Sequence, residues 1–167
     1  MVHFPLHSDT PPEGRSLKEL FGPSKDIAAM NATMQNLMEQ EGLPYGVRSM
    51  TYNSRLAQEL GTWADTQGGA NEIHKTIYQA YFVKNENISN IDILVSIAER
   101  AGLDVSQARN IIQNRTFEKT VDEDWSKAHE VGVTGVPTFV AKGTGVVGAQ
   151  PYDSLESLVQ NAGAIKR

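Results

Sequence analysis

The stretch Gly132-Val133-Thr134-Gly135-Val136-Pro137-Thr138-Phe139-Val140 constrains this chain more than any other. A glycine-rich approach runs into Val136-Pro137, and a β-type apolar run follows from Thr138 to Ala141. Pro137 has no N–H and fixes its own φ, so it belongs at the start of a strand or on an edge. The residue before it is driven to extended geometry. X-Pro is also the only kind of peptide bond at which the cis form is cheap. Two readings follow. Either a loop turns sharply into the strand through a cis bond, or an ordinary strand begins at a proline.

The 167 residues suit one domain with a sizeable core. The chain is acidic, with a formal net charge of −5, and has no cluster of Lys and Arg. That argues against nucleic acid and anionic membrane as partners. No apolar run approaches the roughly 20 residues that cross a bilayer, and the first residues lack a basic-then-apolar signal pattern. The simplest address is therefore cytoplasmic. There is no cysteine, so no disulfide framework is available.

Val2 to Leu6 reads as a short strand, ended by Ser8, Asp9 and Pro11-Pro12. Leu17, Leu20 and Phe21 fit a helical turn closed by Gly22-Pro23. Ser24 is placed to cap a helix to about Gln40, and Ile27, Met30, Met34, Leu37 and Met38 share one face of it. That stripe reads as core filling in preference to a Met-lined binding groove. Leu43 to Tyr52 reads as irregular. Asn53 is placed to cap a helix to about Gln67, with Leu56, Leu60, Trp63 and Ala64 inward, and Gly68-Gly69 breaks it. Ile73, Ile77, Tyr78, Tyr81 and Phe82 form the next apolar stripe, read as core. Asn90 and Asp104 fit N-caps, Gly102 fits a C′ position, and Phe117 to Ala128 fits a last long helix ending near Gly132.

Gly143-Thr144-Gly145-Val146-Val147-Gly148 matches G-x-G-x-x-G literally. A dinucleotide fingerprint needs a helix opening after the glycines. Here the glycines lie between two β-type runs, so Lys142-Gly143-Thr144-Gly145 reads as a hairpin turn. His3, His7, His74 and His129 show no metal-ligand spacing. His129 is the one histidine to watch, because it precedes the Gly132–Pro137 loop. Asp122-Glu123-Asp124 reads as a solvated helix face.

Gly-Val-Pro-Thr-Phe-Val, the hairpin, Gly148-Ala149-Gln150-Pro151 and a closing helix from Asp153 to Ala162 together resemble the C-terminal end of the DsbA-like thioredoxin-fold proteins. Upstream, Phe4-Pro5-Leu6-His7, Asn53-Ser54-Arg55-Leu56-Ala57 and Ile97-Ala98-Glu99-Arg100-Ala101-Gly102-Leu103-Asp104 fit the FrnE-like dithiol oxidoreductase branch. The 2-hydroxychromene-2-carboxylate isomerases and kappa-class glutathione transferases are cousins of that branch.

The resemblance implies an α/β thioredoxin-like sheet from residues 1–23 and 132–167, with an inserted helical lobe at 24–131. It also implies that the first strand and the first helix of the fold, which carry Cys-x-x-Cys in the family, are absent. The family oxidises, reduces or isomerises protein disulfides through those two sulfurs. With no cysteine, this chain is expected to be redox-inactive. The resemblance assigns Thr134, Gly135, Val136 and Pro137 to a loop that pairs with an extended peptide or protein substrate. No metal is implied, and no catalytic residue is present.

Three outcomes are open for the missing strand. Either Val2–Leu6 pairs directly with Thr138–Ala141, or two chains complete each other by strand exchange, or the sequence is a fragment of a longer protein. Two other functions also stay open: a glutathione-dependent isomerase or transferase, and a pure peptide-binding module.

Overall fold

The computed structural model describes residues 1–67 and 70–165. The expected Gly68-Gly69 break lies outside the described residues. The chain groups into two units, one made of Met1–Leu6 with Glu123–Arg167, the other of His7–Asp122.

The second unit is built on helices. A two-residue strand β1 (Arg15–Ser16) leads directly into α1 (Leu17–Phe21). Ser16 starts α1 with a capping box: Glu19 N donates to Ser16 Oγ and Ser16 N donates to Glu19 Oε2. α2 (Ile27–Gln40) follows, and then β2 (Met50–Thr51), which pairs antiparallel with β1. β2 falls in the stretch that reads as irregular in the sequence. Two residues are too few for a visible alternation of apolar and polar side chains.

Four more helices complete the body: α3 (Arg55–Asp65), α4 (Ala70–Tyr78), α5 (Ile91–Arg100) and α6 (Val105–Gln113). A π-helical turn, Gln79–Val83, continues α4. Leu60, Ile73, Leu94, Ile97 and Ile112 are sealed from solvent at the centre, with Trp63, Ile77, Ile88 and small alanines around them. Each fully buried aliphatic side chain contributes roughly 1.5–3 kcal/mol. Asn90 and Asp104 cap α5 and α6 through their side chains, and Gly102 ends α5 with φ +75°.

Three expectations are corrected in this unit. Asp26, not Ser24, caps α2, its carboxylate accepting from Ala29 N. The stripe on α2 is not core: Met30, Met34 and Leu37 are 40–52% exposed, and Ile27 and Met38 are half-buried. The residue that α2 buries is Asn31, and its hydrogen bonds set the rotation of the helix. Asn31 Nδ2 donates to Ile27 O and Arg48 O, while Oδ1 accepts from Tyr45 Oη and Arg48 N. Third, Tyr78 and Phe82 lie on the surface. Tyr78, the last residue of α4, is one step round the helix from buried Ile77, and the π-helical turn that follows adds a residue to the repeat and carries Phe82 away from the face that Ile73 and Ile77 bury.

The first unit contains the C-terminal part of α7 (Glu118–Glu130), then β3 (Thr138–Ala141), β4 (Thr144–Val147) and α8 (Tyr152–Asn161). β3 and β4 form an antiparallel hairpin in the register Thr138↔Val147 to Ala141↔Thr144. Lys142 (φ +46°) and Gly143 (φ +77°) make its two-residue turn. Two successive positive φ values match the twist of the strands they join. α8 packs on the hairpin and buries Leu158.

Val2–Leu6 forms no strand, which corrects that expectation and with it the direct pairing to Thr138–Ala141. Pro5 offers no donor, and His7 turns the chain with φ +55°. His3 N donates instead to Asp124 Oδ2.

Candidate functional site

α7 ends at Glu130 and the chain turns at Gly132, whose φ of +74° suits the absence of a Cβ. Gly132 N donates to His129 O and Val133 N to Ala128 O, which closes the helix and sets the direction of the loop. His129 is exposed on that last turn. The loop then passes through Thr134, Gly135 and Val136, and the Val136–Pro137 peptide bond is cis.

Two bonds lock the loop to the hairpin. Thr138 Oγ1 donates to Gly135 O at 2.6 Å, and Gly148 N donates to Pro137 O at 2.7 Å. Gly135 lies beside Val147, where an added Cβ would make an ordinary contact at 3.7 Å. Thr134, Val136 and Pro137 are exposed, and Gly135 is half-buried. The backbone N–H and C=O of Val136 make no hydrogen bond to any described residue. β3 is paired on one side only, with β4, among the described residues. Phe139 and Val140, which alternate to opposite faces of the strand, are 39% and 50% exposed. The arrangement is an extended, unpaired backbone segment that runs into an open strand edge and is flanked by apolar side chains.

The helical unit holds a second group of interest, which the sequence reading did not single out. Glu59 is fully buried. Arg115 donates to it through Nε and Nη2 at 2.8 and 2.6 Å, and Arg55 through Nε at 2.8 Å. Burial pushes the Glu59 carboxyl up, but hydrogen bonds from Arg115 and Arg55 outweigh it and hold it below its ordinary value. Arg55 also reaches Asp122 Oδ1 at 2.7 Å. The i,i+4 spacing of Arg55 and Glu59 was the available signal. The arm from Arg115 spans 56 residues and left none. Both arginines line a shallow cleft with Leu56, Ile91 and Ile112, yet their charges are already met by carboxylates.

His74 Nε2 lies 2.8 Å from Asp65 Oδ1, which ties α4 to α3. Among the described residues, no group of three or more His, Asp or Glu side chains could hold a metal ion. No described helix is long and apolar enough to cross a membrane.

A helical unit, and in the other unit a strand hairpin entered through a cis-proline, are the elements of a thioredoxin-type protein of the DsbA kind. The chain belongs to the DSBA-like thioredoxin domain family, whose model matches residues 1–160. Among solved structures it is similar to the probable DsbA oxidoreductase SCO1869 of Streptomyces coelicolor. That match has a TM-score of 0.82 at 24% identity, over 96% of this chain and 73% of that one. A candidate protein disulfide isomerase of Nitrosomonas europaea matches with a TM-score of 0.63 at 14% identity, over 80% of this chain and 72% of that one. At these identities the likeness shows the fold. YwbO of Bacillus subtilis is 31% identical over 107 residues, 64% of this chain and 54% of YwbO. The ClpXP adapter protein SpxH of Halalkalibacterium halodurans is 30% identical over 109 residues, 61% of this chain and 35% of SpxH. The chain thus aligns with about half, or less, of the length of these two relatives.

Proposed function

We propose that this chain is the substrate-holding part of a DsbA-like disulfide oxidoreductase fold, and that an extended protein segment lies along Thr134, Gly135, Val136 and Pro137. The observation that carries this reading is the unbonded, exposed backbone of Val136 beside cis-Pro137. An extended segment supplies both of its missing hydrogen bonds, which is recognition by strand addition. Thiol–disulfide exchange needs a thiolate nucleophile, and this sequence contains no cysteine. The chain is therefore read as redox-inactive by itself, with binding as the activity its own residues supply.

The test pairs two assays. In an insulin-reduction assay with dithiothreitol, the protein should leave the rate at background. In fluorescence anisotropy, a labelled, S-alkylated unfolded peptide should bind. Val136→Pro, which removes the N–H, should weaken that binding by about tenfold, the effect of one lost hydrogen bond. Unchanged binding in Val136→Pro would overturn the reading.

The open edge of β3 also suits a second copy of the chain, because an unpaired edge with exposed Phe139 and Val140 favours pairing with another strand. Light scattering coupled to size exclusion separates this case. A monomer at high concentration leaves the edge to peptide substrates alone.

A further inference from the structure

α2 stands out in the helical unit because little of it is packed. Of its 14 residues only Asn31 is buried, and no other helix or strand packs broadly against it among the described residues. Asn31 ties one side of it to the Tyr45–Arg48 segment. Met30, Met34 and Leu37 recur at i, i+4 and i+7 on another side, and all three are exposed. From Ile27 to Met38 there is no charged side chain, so no ion pair along this stretch supports the helix. A helix of this length is marginal in water, and most of its stability in a protein comes from packing an apolar face. The exposed stripe is that face.

The spacing of the stripe selects what covers it. Ile27 and Leu37 stand at equal distances along the chain to either side of Ala32, and so do Met30 and Met34. A second α2, antiparallel and related by a two-fold axis level with Ala32, therefore sets Met30 beside the partner's Met34 and Ile27 beside the partner's Leu37, each contact made twice. Methionine side chains are flexible enough to interlock across such a seam.

The charges select the same arrangement. Lys25 before α2, and Glu39 and Glu41 at its end, are exposed and have no ion-pair partner among the described residues. Lys25 and Glu39 are again equidistant from Ala32. An antiparallel copy brings each Lys25 to the Glu39–Glu41 end of its partner, whereas a parallel copy sets like charges against each other. We propose that α2 is a self-association surface, on which two copies of this chain pack helix against helix in antiparallel, two-fold register. One helix pair buries less than the roughly 1,200 Å² at which stable interfaces begin, so the dimer should dissociate at micromolar concentrations. The surface lies wholly in the helical unit and is independent of the 134–137 loop.

The test is sedimentation equilibrium on the full chain over about a hundredfold range of concentration across the micromolar. The parent chain should pass from monomer to dimer. Met34→Glu, at an exposed position opposite the partner's Met30, should stay monomeric throughout. Lys25→Glu alone, and Glu39→Lys combined with Glu41→Lys, should each weaken the dimer about tenfold, since each sets like charges together at both ends of the seam. Both changes place charges where the helix dipole favours them, so weaker association cannot come from loss of α2. An equimolar mixture of those two variants should regain the parent's affinity, because each chain then meets opposite charge at both ends. A monomer at every concentration, a dimer unchanged by Met34→Glu, charge reversals without effect, or a mixture no tighter than either variant alone would each overturn the proposal.

Discussion

Arg115 closes on Glu59 with two parallel donors, Nε to Oε2 at 2.8 Å and Nη2 to Oε1 at 2.6 Å. The pair joins the loop after α6 to the middle of α3, and Arg115 adopts a left-handed φ of +52° to make it. Arg115→Met should leave a buried carboxylate with Arg55 as its only charged partner among the described residues. Breaking one side of a buried pair costs about 3 kcal/mol. Urea unfolding near neutral pH checks this, and a change well under 1 kcal/mol would mean the pair is incidental.

The same carboxyl sets an acid limit. Its folded pKa is depressed below the ordinary 4.5 by the two arginines, against the opposing effect of burial. A depressed pKa gives stability that is present above the unfolded value and is lost as pH falls through the folded value. Stability should therefore decline below about pH 4.5. Glu59→Gln should be less stable near neutral pH and show a shallower decline in acid, read from denaturant midpoints across that range.

Gly46 has no room for a side chain. An added Cβ would collide with the carbonyl oxygen of Val83 and lie 2.9 Å from its carbon. Gly46→Ala must separate this segment from the π-helical turn and break the bond from Gly46 N to Phe82 O. A loss of about 3 kcal/mol is expected, the upper end for overpacking. Thermal melts test it, and a melt unchanged from the parent chain would refute the close approach.

Asn31 should tolerate no isosteric change. Asn31→Asp turns an amide that donates to two carbonyls into a carboxylate that repels them. With the residue 6% exposed, the cost should reach about 3 kcal/mol. Chemical denaturation measures it, and Asn31→Asp as stable as the parent would contradict the rotation of α2 described above.

The hairpin turn is improvable. Lys142 holds φ +46° although it has a Cβ. Asn tolerates that conformation better, so Lys142→Asn should stabilise by about 0.5 kcal/mol. Gly143→Ala should act in the opposite direction at φ +77°.

How much was legible depended on how local the cause was. Asn90, Gly102 and Asp104 act on backbone groups within three or four residues, so their caps could be read directly. The turn at 142–143 was likewise written in glycine and the β-type runs beside it. Periodicity alone could not orient α2. It found the Met30, Met34 and Leu37 stripe, but the helix faces inward on Asn31, whose partners Tyr45 and Arg48 lie 14 and 17 residues away. The π-helical turn at Gln79–Val83 shifted the phase of the next stripe, and no residue there announces a π-turn. Val2–Leu6 had strand composition but no neighbour to pair with. In the loop, Val136 and Pro137 stood out because proline restricts geometry by itself. The unpaired state of the Val136 backbone depends on what surrounds it, and it appears only in three dimensions.

The most direct measurement is amide hydrogen exchange at Val136, with and without a saturating S-alkylated unfolded protein. The amide should be unprotected in the free chain and exchange at least about tenfold more slowly in the complex, as one new hydrogen bond requires. An amide already protected in the free chain, or one left unprotected while the unfolded protein is bound, would contradict it.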